Sequence, residues 1–208
     1  MFIIAALFFV FLVFILYAIA RSSSQPRLTP ADLALLPAQF VIVDVETTGL
    51  SPERHQIIEI GAIKVNRDGN NHQTFQTLVK CKGRLPKKIT SITGITKEML
   101  DREGIALAEA MTQFLEFAGD LRLVAYNAPF DIAFLSNAAK IINREIENPV
   151  SDALKMAQRA WPRRRSYRLT QLASDGGLSV SGAHRSLKDC HLTLQVYCAA
   201  SVKLQRIE

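Results

Sequence analysis

Apolar and polar positions divide the chain into blocks of different period. Residues 2–20 contain no charge and no Pro or Gly. As a helix this run would span about 28 Å, close to the roughly 30 Å hydrocarbon core of a bilayer, so one transmembrane helix is expected over residues 1–20. Arg21-Ser-Ser-Ser-Gln-Pro-Arg-Leu28 has linker composition, and the linker is expected to run over residues 21–38, with Thr29-Pro30 opening a short helix that Pro37 stops. Beyond it, apolar runs predict strands at residues 40–45, 57–65, 74–79 and 121–126, with a short one near Pro149. Helical spacing predicts short helices near 89–100 and further helices at 105–118, 130–146, 152–160, 169–174 and 185–202. Leu107, Met111, Phe114, Leu115 and Ala118 form the stripe of the 105–118 helix. Three consecutive strands followed by alternating helix and strand predict an α/β domain over residues 39–208, a mixed sheet flanked by helices. Its size suits a single core.

Polar residues that interrupt these blocks at element ends carry the chemistry. In Phe40-Val-Ile-Val-Asp-Val-Glu-Thr-Thr-Gly-Leu50, Asp44 and Glu46 stand two apart at the end of an apolar strand. Strand side chains alternate faces, so the two carboxylates project together and can grip a hard cation, while Gly49 ends the strand and leaves them at an open mouth. A lone pair of this kind is more often a solvated rim, but partners follow. Leu121-Arg-Leu-Val-Ala-Tyr126 runs into Asn127-Ala-Pro-Phe-Asp131, placing Asp131 where a strand hands over to a helix. Asp189 lies near the start of the last helix, five positions after His184. Five positions is about 140° on a helix, so the two converge only if His184 stands on the preceding loop, which Gly182 permits. Four acids and a histidine suit phosphodiester hydrolysis with two divalent ions, which polarise the phosphate, activate water and stabilise the departing oxygen. Oxygen ligands favour Mg²⁺ or Mn²⁺ over zinc, leaving the histidine free as a general base. Asp152 reads as a helix N-cap and is left out of the site.

The segments Val43-Asp-Val-Glu-Thr-Thr-Gly-Leu50, Ile92-Thr-Gly-Ile-Thr-Lys-Glu-Met-Leu100, Tyr126-Asn-Ala-Pro-Phe-Asp-Ile-Ala-Phe-Leu135 and His184-Arg-Ser-Leu-Lys-Asp189 together resemble the motifs of the DnaQ-like 3'–5' exonucleases, DEDDh branch. The resemblance covers residues 40–200 and implies a ribonuclease H-like fold. It also implies that Asp44, Glu46 and Asp189 bind metal directly, that Asp131 completes the metal site directly or through water, and that His184 activates the attacking water. Thr47, Thr48, Ile95, Asn127 and Phe130 fall where members of the family hold the terminal nucleotide. Two positions depart from the pattern: Tyr126 and Thr93 stand where histidine is common.

The formal charge of +6 concentrates in two acid-free stretches, residues 80–88 and 155–168, the second containing Arg163-Arg-Arg165. A phosphate backbone would be drawn to them; the alternatives are a solvated basic loop or contact with anionic lipid headgroups. Cys81, Cys190 and Cys198 lack metal-ligand spacing and suit reduced, packed thiols. Arg21 and Arg27 follow the apolar segment with no charge before it, which places the catalytic domain on the cytoplasmic side of a single-pass anchor. Ala18-Ile-Ala20 resembles a signal-peptidase site, but the run is long for a signal peptide and no basic residue precedes it. The expected function is a membrane-tethered exonuclease acting on single-stranded 3' ends, DNA before RNA, releasing nucleoside 5'-monophosphates. Its partners would be nucleic acid and, through residues 2–20, the membrane, with no small-molecule cofactor. The alternatives are a polymerase proofreading subunit, disfavoured by the short tail after the last motif, and a non-catalytic nucleic-acid-binding module on the same fold.

Overall fold

The computed structural model describes residues 36–69 and 72–206. The apolar segment at 2–20, and all but the end of the linker, lie outside the described residues. Among the described residues no helix is long and apolar enough to cross a membrane. Five strands, β1 (Gln39–Thr47), β2 (Ile57–Asn66), β3 (Gln73–Leu78), β4 (Leu123–Ala125) and β5 (Val150–Asp152), form one sheet in the order β3-β2-β1-β4-β5. The β1–β2 and β2–β3 pairs are antiparallel, whereas β1–β4 and β4–β5 are parallel. The helices are α1 (Lys87–Thr93), α2 (Lys97–Glu103), α3 (Leu107–Ala118), α4 (Ala128–Lys140), α5 (Ala153–Ala160), α6 (Leu169–Asp175) and α7 (Ser186–Gln205). This is the mixed sheet with flanking helices that the apolar pattern predicts.

Strand alternation sorts β1 into two faces. Val41, Val43 and Val45 pack with Met111 and Phe114 of α3 and with Phe134 and Leu135 of α4. Phe40 and Ile42 point the other way, onto Ala153 of α5 and Cys190 and Tyr197 of α7. Asp44 and Glu46 continue this second face, so the sheet face covered by α7 is also the face that carries the acids.

Helix α7 reaches β2 because residue 61 is glycine. A Cβ at Gly61 would lie 2.5 Å from Ser186 Oγ and 2.6 Å from the backbone N of Leu187, closer than any side chain tolerates. The first turn of α7 therefore rests directly on the strand beside Asp44, which is paired opposite Gly61.

Two of the boundaries that differ from the sequence pattern have a clear local cause. Helix α4 ends at Lys140, not near Ile146, because Asn143 takes a left-handed conformation (φ 52°) and the N–H of Arg144 donates to Ala139 O at 3.1 Å, closing the helix. Ile142 and Ile146 still pack on the core from the chain beyond the helix, so their spacing mimics a continued helix. Ile105 lies outside α3 because it bridges to Val79, its N–H donating to Leu78 O at 3.0 Å.

Candidate active site

The site is built where β1, the start of α4 and the start of α7 meet. Carboxylate oxygens of Asp44, Glu46 and Asp189 all lie within 4.8 Å of one another. Asp131, buried in the first turn of α4, accepts a 3.0 Å hydrogen bond from the Val45 backbone N–H through Oδ1, which fixes it to the strand between Asp44 and Glu46. A register shift in the β1–β2 ladder between Glu46 and Thr47 ends the regular strand immediately past the acids.

His184 lies on the loop before α7, as convergence with Asp189 requires. Its φ of 66°, with Gly182 at 78°, folds the loop back so that the His184 backbone N–H donates to Asp189 Oδ2 at 3.1 Å. A histidine in the left-handed region is uncommon, and the hydrogen bond holds it there. The imidazole is exposed at the mouth of the site.

The electrostatics are those of a cation site. Burial and then repulsion from Asp131, Glu46 and Asp189 push Asp44 well above the ordinary carboxylate range. Glu46 is raised to about 8 by burial and then by Asp189. Asp131 is also raised to about 8, chiefly by burial and against the pull of its backbone hydrogen bonds. Asp189 is raised by burial, and its buried Oδ1 has no hydrogen-bond partner. An orphaned carboxylate oxygen facing two further acids is stabilised by a divalent cation, so the residues fit the Mg²⁺ or Mn²⁺ expected from the donor set.

The five nucleotide-contact candidates do not present alike. Asn127 is exposed and begins α4 in a left-handed conformation (φ 65°). Thr47 Oγ1 donates to Gly49 O at 2.6 Å, and Thr48 Oγ1 accepts from Gln56 N at 3.0 Å, so both hydroxyls also brace the loop after β1. Phe130 is half-buried against Phe134, with ring centroids 5.0 Å apart. Ile95 is fully buried among Ile58, Leu85 and Leu100, so its side chain is part of the core.

The two unusual residues have local tasks. Thr93 Oγ1 donates to Ile89 O and accepts from Ile95 N, fastening the α1–α2 turn. The Tyr126 hydroxyl donates to Tyr167 O, and the Tyr167 hydroxyl to Trp161 O at 2.6 Å, fixing the basic loop to the end of β4. Within that loop Arg164 is committed to an ion pair with Asp175, while Arg163 and Arg165 are exposed. Lys80, Lys82, Arg84, Lys87 and Lys88 of the other basic stretch are exposed. Asp152 caps α5, accepting from Leu154 N at 3.0 Å.

Sequence reasoning passed over Glu59 and Arg185. Glu59 is fully buried on β2 directly opposite Glu46, and Arg185 donates to it from Nη2 at 2.7 Å. The signal was an acid inside the apolar run Ile57-Ile-Glu-Ile-Gly61, which needs a partner if that run is a buried strand.

The RNase_T family model, described as Exonuclease, matches residues 41–197. The chain is 35% identical over 158 residues to the DNA polymerase III PolC-type protein of Clostridium perfringens, a match covering 76% of this chain and 11% of that one. It is 34% identical over 175 residues to DNA polymerase III subunit epsilon of Aquifex aeolicus, covering 84% and 86% respectively. The chain thus spans only about a tenth of that PolC-type relative but most of the epsilon subunit. Its fold is similar to that of Escherichia coli exonuclease I in complex with a dT13 oligonucleotide, with a TM-score of 0.71 at 20% identity over 82% of this chain and 42% of that one. Exonuclease X in complex with 5' overhanging duplex DNA gives a TM-score of 0.62 at 25% identity, covering 77% and 90%. With the family's model matched from β1 into α7 and the acids gathered where these elements meet, the chain belongs to the RNase_T exonuclease family, as a DnaQ-like exonuclease domain homologous to 3'–5' exonucleases.

Proposed function

We infer that the protein is a DEDDh-type, metal-dependent 3'–5' exonuclease that removes nucleoside 5'-monophosphates from single-stranded ends, DNA in preference to RNA, while tethered to the membrane through residues 2–20 with its catalytic domain in the cytoplasm. The observation that carries the chemistry is the gathering of Asp44, Glu46 and Asp189 within 4.8 Å, with His184 on the adjoining loop. Divalent cations held by these acids and Asp131 would polarise the scissile phosphate and lower the pKa of water. His184, exposed at the mouth, takes the proton from the attacking water. Asn127 and the loop after β1 hold the terminal nucleotide, and the exposed basic residues of 80–88 together with Arg163 and Arg165 draw in the phosphate backbone, Arg164 being tied to Asp175. The choice of DNA is supported by the DNA bound to exonuclease I and exonuclease X.

Asp189→Asn removes one charge facing the cations and should lower hydrolysis of a labelled single-stranded oligonucleotide by about 10²-fold or more, with circular dichroism unchanged. EDTA should silence the wild type, and Mg²⁺ or Mn²⁺ restore it. Near-wild-type activity in the variant would refute the site. The likeness to most of the Aquifex aeolicus epsilon subunit favours a second reading, association with a replicative polymerase. Membrane fractions that resist carbonate extraction are expected for the tethered enzyme; release by carbonate together with a polymerase would favour the second reading.

A further inference from the structure

Five carboxylates converge at one end of this sheet, and one of them is bonded differently from the rest. Glu59 is fully buried and faces Glu46 across the β1–β2 ladder. Its oxygens accept from Arg185 Nε at 3.1 Å and Nη2 at 2.7 Å, from the Ser186 backbone N–H at 2.9 Å and from Gln76 Nε2 at 3.0 Å. Asp189 Oδ1 is by contrast buried without a partner. Glu59 is thus satisfied by the protein, whereas Asp189 keeps a buried oxygen that only a cation could satisfy.

The bonds to Glu59 come from residues 185 and 186, the two positions immediately after His184. They fix the backbone that sets both the left-handed turn at His184 and the register of Asp189 in the first turn of α7. Gly61, two residues along β2, lets that turn rest on the sheet. Arg185 also lies near enough to Glu46 to oppose the repulsion of the other acids.

We propose that Glu59 and Arg185 are a positioning pair for the exonuclease site: together they lock His184 and Asp189 to β2 and keep a fifth carboxylate out of the metal-ligand set. The proposal rests on the metal-dependent reading above. It requires the two members to act on cation affinity with opposite sign. Glu59→Gln leaves the Arg185 charge uncompensated beside Glu46 and repels a cation; Arg185→Ala frees an acid opposite Glu46 and attracts one. Both loosen the His184 loop.

The test is Mn²⁺ binding to the full-length protein in detergent, read from the electron paramagnetic resonance of free Mn²⁺, with kcat and KM on a single-stranded oligonucleotide. Glu59→Gln should weaken Mn²⁺ binding by at least about 3-fold and Arg185→Ala should tighten it by a similar factor, while each lowers kcat about 10- to 100-fold, with KM nearly unchanged. The double variant should return Mn²⁺ affinity close to wild type. Arg185→Lys, which keeps the charge but loses the two-point fork, should retain affinity and lose kcat. If Arg185→Ala fails to fold, Glu59→Gln and Arg185→Lys decide the question by the same readouts. Affinity shifts of the same sign in both single variants, or a rise in KM in place of the fall in kcat, would overturn the proposal. A wild type that binds Mn²⁺ but hydrolyses nothing would instead overturn the proposed activity and leave the binding cycle to judge the pair.

Discussion

His184 offers two separate groups: its backbone N–H is bonded to Asp189, and its side chain is exposed. The two are separable by substitution. Asn tolerates the left-handed conformation at least as well as His and keeps the backbone donor, but it has no base. His184→Asn should therefore preserve the loop and Mn²⁺ affinity while lowering kcat by about 10²- to 10⁴-fold, the range for a positioned general base. His184→Ala should show the same loss of rate with some added loop strain. An unchanged rate in His184→Asn would remove the imidazole from the mechanism. At this scale the sequence exposed the charged residues at element ends but not the pairing of the acid inside β2. Asp44, Glu46, Asp131, His184 and Asp189 were visible because each interrupts or ends an apolar block. Glu59 stands out only as an acid inside an apolar run, and its pairing with Arg185 does not show, since their bond joins residues 126 positions apart and depends on how α7 lies against the sheet.

Among the elements, the decisive contact is α7 on β2, and it depends on the absence of one methyl group. Gly61→Ala would drive a Cβ into the backbone of residues 186 and 187, so either α7 lifts or the strand shifts. Overpacking of this kind costs about 1–3 kcal/mol, and more where backbone must move. Because Asp189 and His184 ride on the displaced end of α7, activity should fall further than thermal stability accounts for, with most of the loss in kcat. A variant with wild-type kcat would mean that α7 can shift without disturbing the site. Element order was readable from apolar runs, as in β1 and β2, whereas element ends were set by single residues with particular backbone angles. The left-handed turn at Asn143 stops α4 although Ile142 and Ile146 keep helical spacing. Ile105 leaves α3 for a bridge to Val79, a pairing that no local pattern announces.

Across the whole molecule, the acids make the fold work against itself unless a cation is bound. Glu46 and Asp131 hold their protons to about pH 8 in the folded state but release them near their ordinary values, about 4, once unfolded. Between those limits the folded state binds more protons than the unfolded one, so raising the pH through this window favours unfolding. In EDTA the melting temperature should thus fall from about pH 5 to about pH 8, on the order of several degrees. Asp44→Asn should oppose the fall, because it replaces a buried carboxyl that ionises freely only in the unfolded chain with a neutral amide; the metal-free variant should melt higher than wild type at pH 8 while being inactive. Divalent cations require the ionised acids and displace their protons, so added Mn²⁺ should raise the melting temperature more at pH 8 than at pH 5.5. Differential scanning calorimetry across this range, with and without Mn²⁺, reads both effects. A flat metal-free profile, or Mn²⁺ stabilisation that shrinks as the pH rises, would mean that the carboxylates are not held protonated against one another and that the cluster is not organised around a cation.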